Sequence, residues 1–319
     1  MTYSRQSEWQ EIQHYLPVKF HFTESHHPTE EWWGWKGHKV HLDCFRNNKA
    51  PVKVILLHGV GTNGRQMSMI LGGPLSKDGF ETIAIDMPTY GVTEVRKGAV
   101  VKYDDWVDLA CDYIDYELQR DDRPIVLYGL SAGGMETYHV AAKNKKVKGI
   151  IGMTFLDQRV QQVRDETAKN LFMSRVGIPM VGIACKVGLG NFKMKMSTAS
   201  KMSALCNDKK VMKIFNRDKT SAANKTSMEF LKSYSEYQPA VEAEDFDVCP
   251  ILLTQPEQDR WTPLHLSTPF LEKINKVEVK IVCLENGGHY PVEQPALDQM
   301  HEAILEFINK VTAPAPIQA

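Results

Sequence analysis

A doubly wound, mostly parallel α/β sheet is the fold class this sequence predicts. Two observations lead to it. Short apolar runs recur at 52–57 (VKVILL), 81–85, 124–128 (PIVLY), 147–153, 250–254 (PILLT) and 278–284 (EVKIVCL). Between most of them lie stretches with apolar residues at helical spacing, and strands that alternate with helices pair in parallel.

The elements follow in order. Residues 1–27 are polar, but Trp9, Ile12 and Leu16 share one helical face, which reads as a helix packed on the body. In 32–45, Val40, Leu42 and Cys44 alternate with Lys39, His41 and Asp43, the mark of an antiparallel strand. Asn47 to Pro51 reads as a turn into the 52–57 strand. A helix near 65–71, the 81–85 strand, a helix near 104–118 and the 124–128 strand come next. Met135, Tyr138, His139 and Ala142 then mark a helix, and 147–153 a strand.

The rhythm breaks at Phe155 and resumes only near Cys249. The interval holds seven of the fourteen methionines (173, 180, 194, 196, 202, 212 and 228). Flexible thioether side chains suit a pocket that accepts chains of variable shape, so the segment reads as a helical cap. From Lys186 to Lys232 eleven basic residues face three acidic ones, Asp208, Asp218 and Glu229. Most such charges make a solvated face; the other reading is a surface that attracts anionic headgroups. Past the last strand, Leu297, Met300, Ile304, Phe307 and Val311 line a terminal helix, and 313–316 reads as a frayed tail. The domain division is thus 1–154 (with an extension at 1–27), 155–247 and 248–319.

The most telling stretch is Gly129-Leu130-Ser131-Ala132-Gly133-Gly134. A strand precedes it and a helix follows, the context that makes G-x-S-x-G a nucleophile elbow. The turn demands small flanking residues and pushes the Ser131 hydroxyl out at the top of the sheet. It also sets the Ala132 N–H, near the positive helix end, where an oxyanion would form. A serine needs a base, and the base needs a carboxylate to fix its tautomer. In this arrangement the chain order is serine, acid, histidine. Past the 250–254 strand come Glu257 and Asp259; past the 278–284 strand, Gly287 and Gly288 let a loop fold back with His289. Asp259 is favoured as the acid and Glu257 is the alternative. His26, His27, His38 and His41 read instead as solvated or strand-face residues. The second oxyanion donor is sought after the first core strand, in His58-Gly59-Val60-Gly61, with Val60 as the donor. A phosphate-cradling loop is disfavoured there, because no G-K-[ST] follows.

Together these stretches, with 82–91 (TIAIDMPTYG) and 259–263, resemble the α/β-hydrolase family, within it the monoglyceride lipase, lysophospholipase and carboxylesterase branch. The resemblance covers roughly 50–155 and 247–311. It implies cleavage of lipid-like carboxylic esters through an acyl-enzyme, by Ser131, Asp259 and His289 with Val60 and Ala132 as the oxyanion hole. It implies no cofactor or metal. Where the family usually has glycine before the acid, this chain has Pro256 and Glu257, which keeps Glu257 in play. The alternatives are the same groups acting on thioesters, lactones or C–C bonds, or a non-catalytic ligand-binding homologue.

Composition narrows the rest. A net charge of −1 does not point to nucleic acid. The six cysteines are scattered without metal-ligand spacing, several in apolar strands, which fits a reducing compartment. No signal-peptide core or 18-residue apolar run is visible, so the expected location is cytoplasmic. Expected partners are a small-molecule or lipid ester and, through the basic cap, transient contact with a membrane surface.

Overall fold

A computed structural model describes residues 1–313. The chain builds one eight-stranded sheet from β1 (Thr29–Trp35), β2 (His38–Phe45), β3 (Lys53–Leu57), β4 (Glu81–Ile85), β5 (Ile125–Gly129) and β6 (Gly149–Gly152). A small ribbon of β7 (Lys193–Lys195) and β8 (Lys225–Ser227) lies in the insertion. The sheet then takes in β9 (Ile251–Pro256) and β10 (Val279–Leu284). The order is β1-β2-β4-β3-β5-β6-β9-β10, antiparallel at β1/β2 and β2/β4 and parallel elsewhere.

β3, β4 and β5 are buried along their whole length, which explains why they read as unbroken apolar runs rather than alternating ones. β10 is the edge strand, and there Ile281 and Cys283 reach solvent.

Three elements differ from the sequence reading. The stretch 32–45 is not one strand but the β1/β2 hairpin. Lys36 and Gly37 both take positive φ (45° and 81°) in a two-residue turn whose twist matches the strands. The tryptophans of β1 do not alternate with polar residues, so periodicity missed it. The helix near 65–71 is longer: helical turns run over 64–77, with a π-helical stretch at Ser68–Gly72. The insertion also contains β structure, the three-residue strands β7 and β8, too short to leave a pattern.

At the amino end, the helix Glu8–Gln13 buries Ile12, and Leu16 follows it into the core. Trp9 stacks on the Arg65 guanidinium at 4.5 Å. The terminal helix Ala296–Thr312 buries Leu297, Met300, Ile304 and Phe307. The tail read at 313–316 lies, from residue 314 on, outside the described residues. Among the described residues no helix is long and apolar enough to cross a membrane.

Candidate active site

Ser131 stands between the end of β5 and the helix Ala132–Asn144, with φ 56° and ψ −123°. That conformation is costly for a residue with a side chain and is held only because the surroundings over-determine it. The residues two positions away on either side must be glycine, because the tight turn leaves no room for a side chain. A Cβ on Gly129 would lie 1.9 Å from the Gly133 carbonyl oxygen, and one on Gly133 would lie 2.4 Å from that of Leu57. Thr154 helps hold the turn, donating its hydroxyl to the Ser131 carbonyl at 3.1 Å.

Asp259 and His289 come from the loops after β9 and β10, parallel neighbours, so both loops open on one edge of the sheet. His289 Nδ1 lies 2.9 Å from Asp259 Oδ2, and both side chains are buried. Asp259 Oδ1 accepts the N–H groups of Trp261 and Thr262, each at 2.8 Å, and Oδ2 accepts the Thr262 hydroxyl at 2.7 Å. Burial pushes the Asp259 carboxyl up, but the attraction of His289 and these hydrogen bonds prevail and hold it down at about 2. Trp261 packs against the imidazole, ring centres 4.9 Å apart. With Nδ1 turned to the carboxylate, Nε2 is buried and has no hydrogen-bond partner among the described residues. Glu257, by contrast, is exposed and accepts the Asn286 N–H at 3.2 Å. It does not touch His289.

Val60 sits in the loop after β3. His58 anchors that loop: its Nε2 accepts the Met87 N–H at 2.9 Å, so Nδ1 carries the proton and donates to the Gly59 carbonyl at 2.8 Å. Burial lowers the His58 pKa, in keeping with that neutral tautomer. The N–H groups of Val60 and Ala132 donate no hydrogen bond among the described residues.

Ser131, Val60, Ala132, Trp261 and Thr262 line one cavity, which with its open mouth encloses about 790 Å³ of empty space. Its other wall comes from the insertion: Met173, Met194 and Met196, with Ile178, Val181 and Leu231. Three of the seven insertion methionines thus face the cavity; Met180 points outward, and Met202 packs over Gly61. The Trp261 indole N–H donates to the Thr167 carbonyl at 3.0 Å, tying the insertion to the core beside His289. Among the described residues no cluster of three metal-ligating side chains occurs.

The structure therefore gathers Ser131, Val60 and Ala132 at one cavity, and sets the Asp259–His289 pair behind it through Trp261 and Thr262. Sequence reading did not single out Thr262 or the anchoring role of His58. The signal for Thr262 was its place three residues after an aspartate, a spacing at which a hydroxyl and N–H turn back onto the carboxylate.

The family model for serine aminopeptidase S33 matches residues 48–295. The chain belongs to this family of α/β hydrolases. Solved structures agree in fold. A soluble variant of monoglyceride lipase from Saccharomyces cerevisiae, in complex with a substrate analogue, superposes with TM-score 0.74 at 16 % identity, covering 94 % of this chain and 99 % of that one. A monoacylglycerol lipase from Paleococcus ferrophilus gives 0.64 at 17 %, covering 81 % and 94 %. A carboxyl esterase from Bacillus coagulans, in complex with glycerol, gives 0.70 at 16 %, covering 89 % and 99 %. None of the curated proteins compared matches the chain.

Proposed function

We propose that this family member is a serine hydrolase that cleaves lipid-like carboxylic esters through an acyl-enzyme. The observation that carries the reading is the hydrogen-bonded Asp259–His289 pair, its Nε2 free, at an apolar cavity onto which the strained Ser131 opens. No hydrogen bond joins Ser131 to His289 in this structure, and such contacts commonly tighten only when substrate binds.

On this reading the Ser131 hydroxyl gives its proton to His289 Nε2 as its oxygen attacks the ester carbonyl. The negative charge on the carbonyl oxygen is taken by the N–H groups of Val60 and Ala132, two cavity-lining residues whose N–H groups carry no other bond among the described residues. His289 then protonates the departing alcohol, leaving the acyl group on Ser131. Water, losing a proton to Nε2, attacks that carbonyl, and Ser131 leaves with the proton. Asp259 keeps its charge throughout and fixes the imidazole with Nε2 toward the serine.

The family's name includes aminopeptidases, yet the cavity supports an ester. Among the described residues its lining contains no carboxylate to bind an α-ammonium group, and its walls are chiefly methionine and aliphatic side chains. Transient contact with a lipid surface belongs to the same reading. Leu171, Phe172, Val176, Met180, Ile183 and Val187 of the insertion are each at least 40 % exposed, with Lys186, Lys193 and Lys195 nearby in the chain.

Fluorophosphonate labelling followed by peptide mapping tests the nucleophile, and hydrolysis of acylglycerols beside acyl-thioesters and lactones tests the bond. Modification at Ser131 with preferred turnover of acylglycerols is expected. Unlabelled, inert protein would leave the binding-homologue reading in its place.

A further inference from the structure

One charged side chain enters the apolar cavity. Among the described residues that line it, only Arg164 carries a charge. It comes from the helix Gln161–Thr167 and is half-buried. Nη1 donates to the carbonyls of Gln158 and Arg159 at 2.7 and 2.9 Å, and Nη2 donates to Gln161 Oε1 at 2.7 Å. These three bonds fix the plane of the guanidinium and leave Nε–H and one Nη2–H unused. No carboxylate pairs with Arg164 among the described residues.

Elsewhere in this chain the Nε and Nη2 groups together hold a carboxylate. Arg65 grips Asp43 at 2.9 and 2.8 Å, Arg123 grips Asp121 at 2.8 and 2.8 Å, and Arg159 grips Asp157 at 2.9 and 2.8 Å. Arg164 also lines an adjoining groove with Arg175, Lys232 and Glu236. There Arg175 is matched by Asp165 at 2.8 Å, and Lys232 lies 3.8 Å from Glu236. The charge left without a counterpart is that of Arg164, where apolar cavity meets polar groove.

We propose that Arg164 is a specificity-determining residue that binds an anionic group, carboxylate or phosphate, carried by the substrate beyond an apolar stretch from the scissile ester. The proposal deepens the ester-hydrolase reading and rests on it for the chemistry at Ser131. Its physical basis is that a guanidinium with Nε–H and one Nη2–H unused offers donors to the oxygens of a carboxylate or phosphate. Apolar walls on the cavity side strengthen such a contact, while the half-buried guanidinium still meets water from the groove.

The test is binding without turnover. Full-length protein carrying Ser131→Ala is titrated calorimetrically with monomethyl sebacate against dimethyl sebacate. A second pair is the phosphate monoester of methyl 10-hydroxydecanoate against methyl 10-hydroxydecanoate itself, both below any micelle concentration. The anionic member of at least one pair should bind about tenfold or more tightly. Adding Arg164→Gln should abolish that preference, Arg164→Lys should restore part of it, and salt should weaken it only where the cation remains. Preference in the first pair alone identifies a carboxylate, and in the second alone a phosphate. No preference in either pair, or one that survives Arg164→Gln, would overturn the proposal. Failure of the ester-hydrolase reading shows itself separately, as absence of dimethyl sebacate and methyl 10-hydroxydecanoate hydrolysis by the unmodified protein.

Discussion

Thr262 donates its hydroxyl to Asp259 Oδ2 over 2.7 Å, and that hydroxyl oxygen stands 3.1 Å from His289 Nδ1. A residue three positions from the acid thus helps fix both the carboxylate and the imidazole it orients. On the proposed mechanism Asp259→Asn offers the ring the wrong partner and should lower kcat by about a thousandfold or more. Thr262→Val keeps the shape and removes one of the four donors to the carboxylate, so a fall of about tenfold, carried by kcat, is expected. Glu257→Gln should leave the rate near that of the unmodified protein. Steady-state kinetics on one ester ranks the three. A larger loss with Glu257→Gln than with Asp259→Asn would transfer the acid's role to Glu257.

Ser131 offers a separation of chemistry from backbone strain. On the proposed mechanism Ser131→Ala and Ser131→Gly both remove the nucleophile and should each cost at least about three orders of magnitude in turnover. Their stabilities should differ. At φ 56° and ψ −123° a Cβ is strained, and glycine is not, so the glycine variant should be the more stable by on the order of 1 kcal/mol. Denaturant unfolding of the pair reads this directly. Equal midpoints would mean that the elbow stores no strain.

How much of this was legible beforehand follows from what each feature writes into sequence. The elbow was readable because Gly129 and Gly133 have no alternative: carbonyl oxygens occupy the space a Cβ would need. The central strands were readable because burial on both faces leaves mostly apolar residues, with Lys53, Glu81 and Thr82 confined to the strand starts. The β1/β2 hairpin was not, because Lys36-Gly37 is a turn signal only where flanking alternation is clear, and Trp32, Trp33 and Trp35 supply none. The Thr262 contacts and the Arg164 position depend on loops and an insertion packed against distant segments, and no local period encodes those.

A buried ion pair outside the site governs the alkaline limb of stability. His41 Nδ1 lies 2.9 Å from Asp86 Oδ2, at ion-pair distance though not aligned as a hydrogen bond, and Nε2 lies 3.0 Å from Glu30 Oε2. Burial pushes the His41 pKa down, but attraction to Asp86 and Glu30 prevails and raises it from 6.5 to about 9. The folded form therefore holds its proton where the unfolded chain has lost it. The stabilisation is full below pH 6.5 and disappears as pH rises through about 9. It amounts to roughly 3 kcal/mol at most. Unfolding free energies of the unmodified protein and His41→Asn, compared at pH 6 and pH 9.5, should converge at the higher pH. A constant gap would assign the loss to packing alone.

The cavity wall supplied by the insertion makes acyl-chain length the most direct probe of its role. With Met173, Met194, Met196, Ile178 and Val181 on one side and Ser131 on the other, each methylene added to an acyl chain leaves water for an apolar surface. Burying a CH₂ is worth about 0.8 kcal/mol, so kcat/KM should climb roughly threefold to fourfold per carbon over short esters. The climb should end where the apolar part of the cavity is full. Replacing Met194 and Met196 by glutamine keeps the bulk but adds polar groups, and should flatten the slope more than it changes the rate on acetate. On the lipid-contact reading, hydrolysis of anionic dispersions should also weaken with salt more than that of neutral monomeric esters, because the lysines of the insertion act through screened charge. A p-nitrophenyl ester series and a salt titration measure both. A flat profile with no salt effect would make the insertion a structural element only, leaving the proposed roles of Ser131, Asp259 and His289 to stand on their own tests.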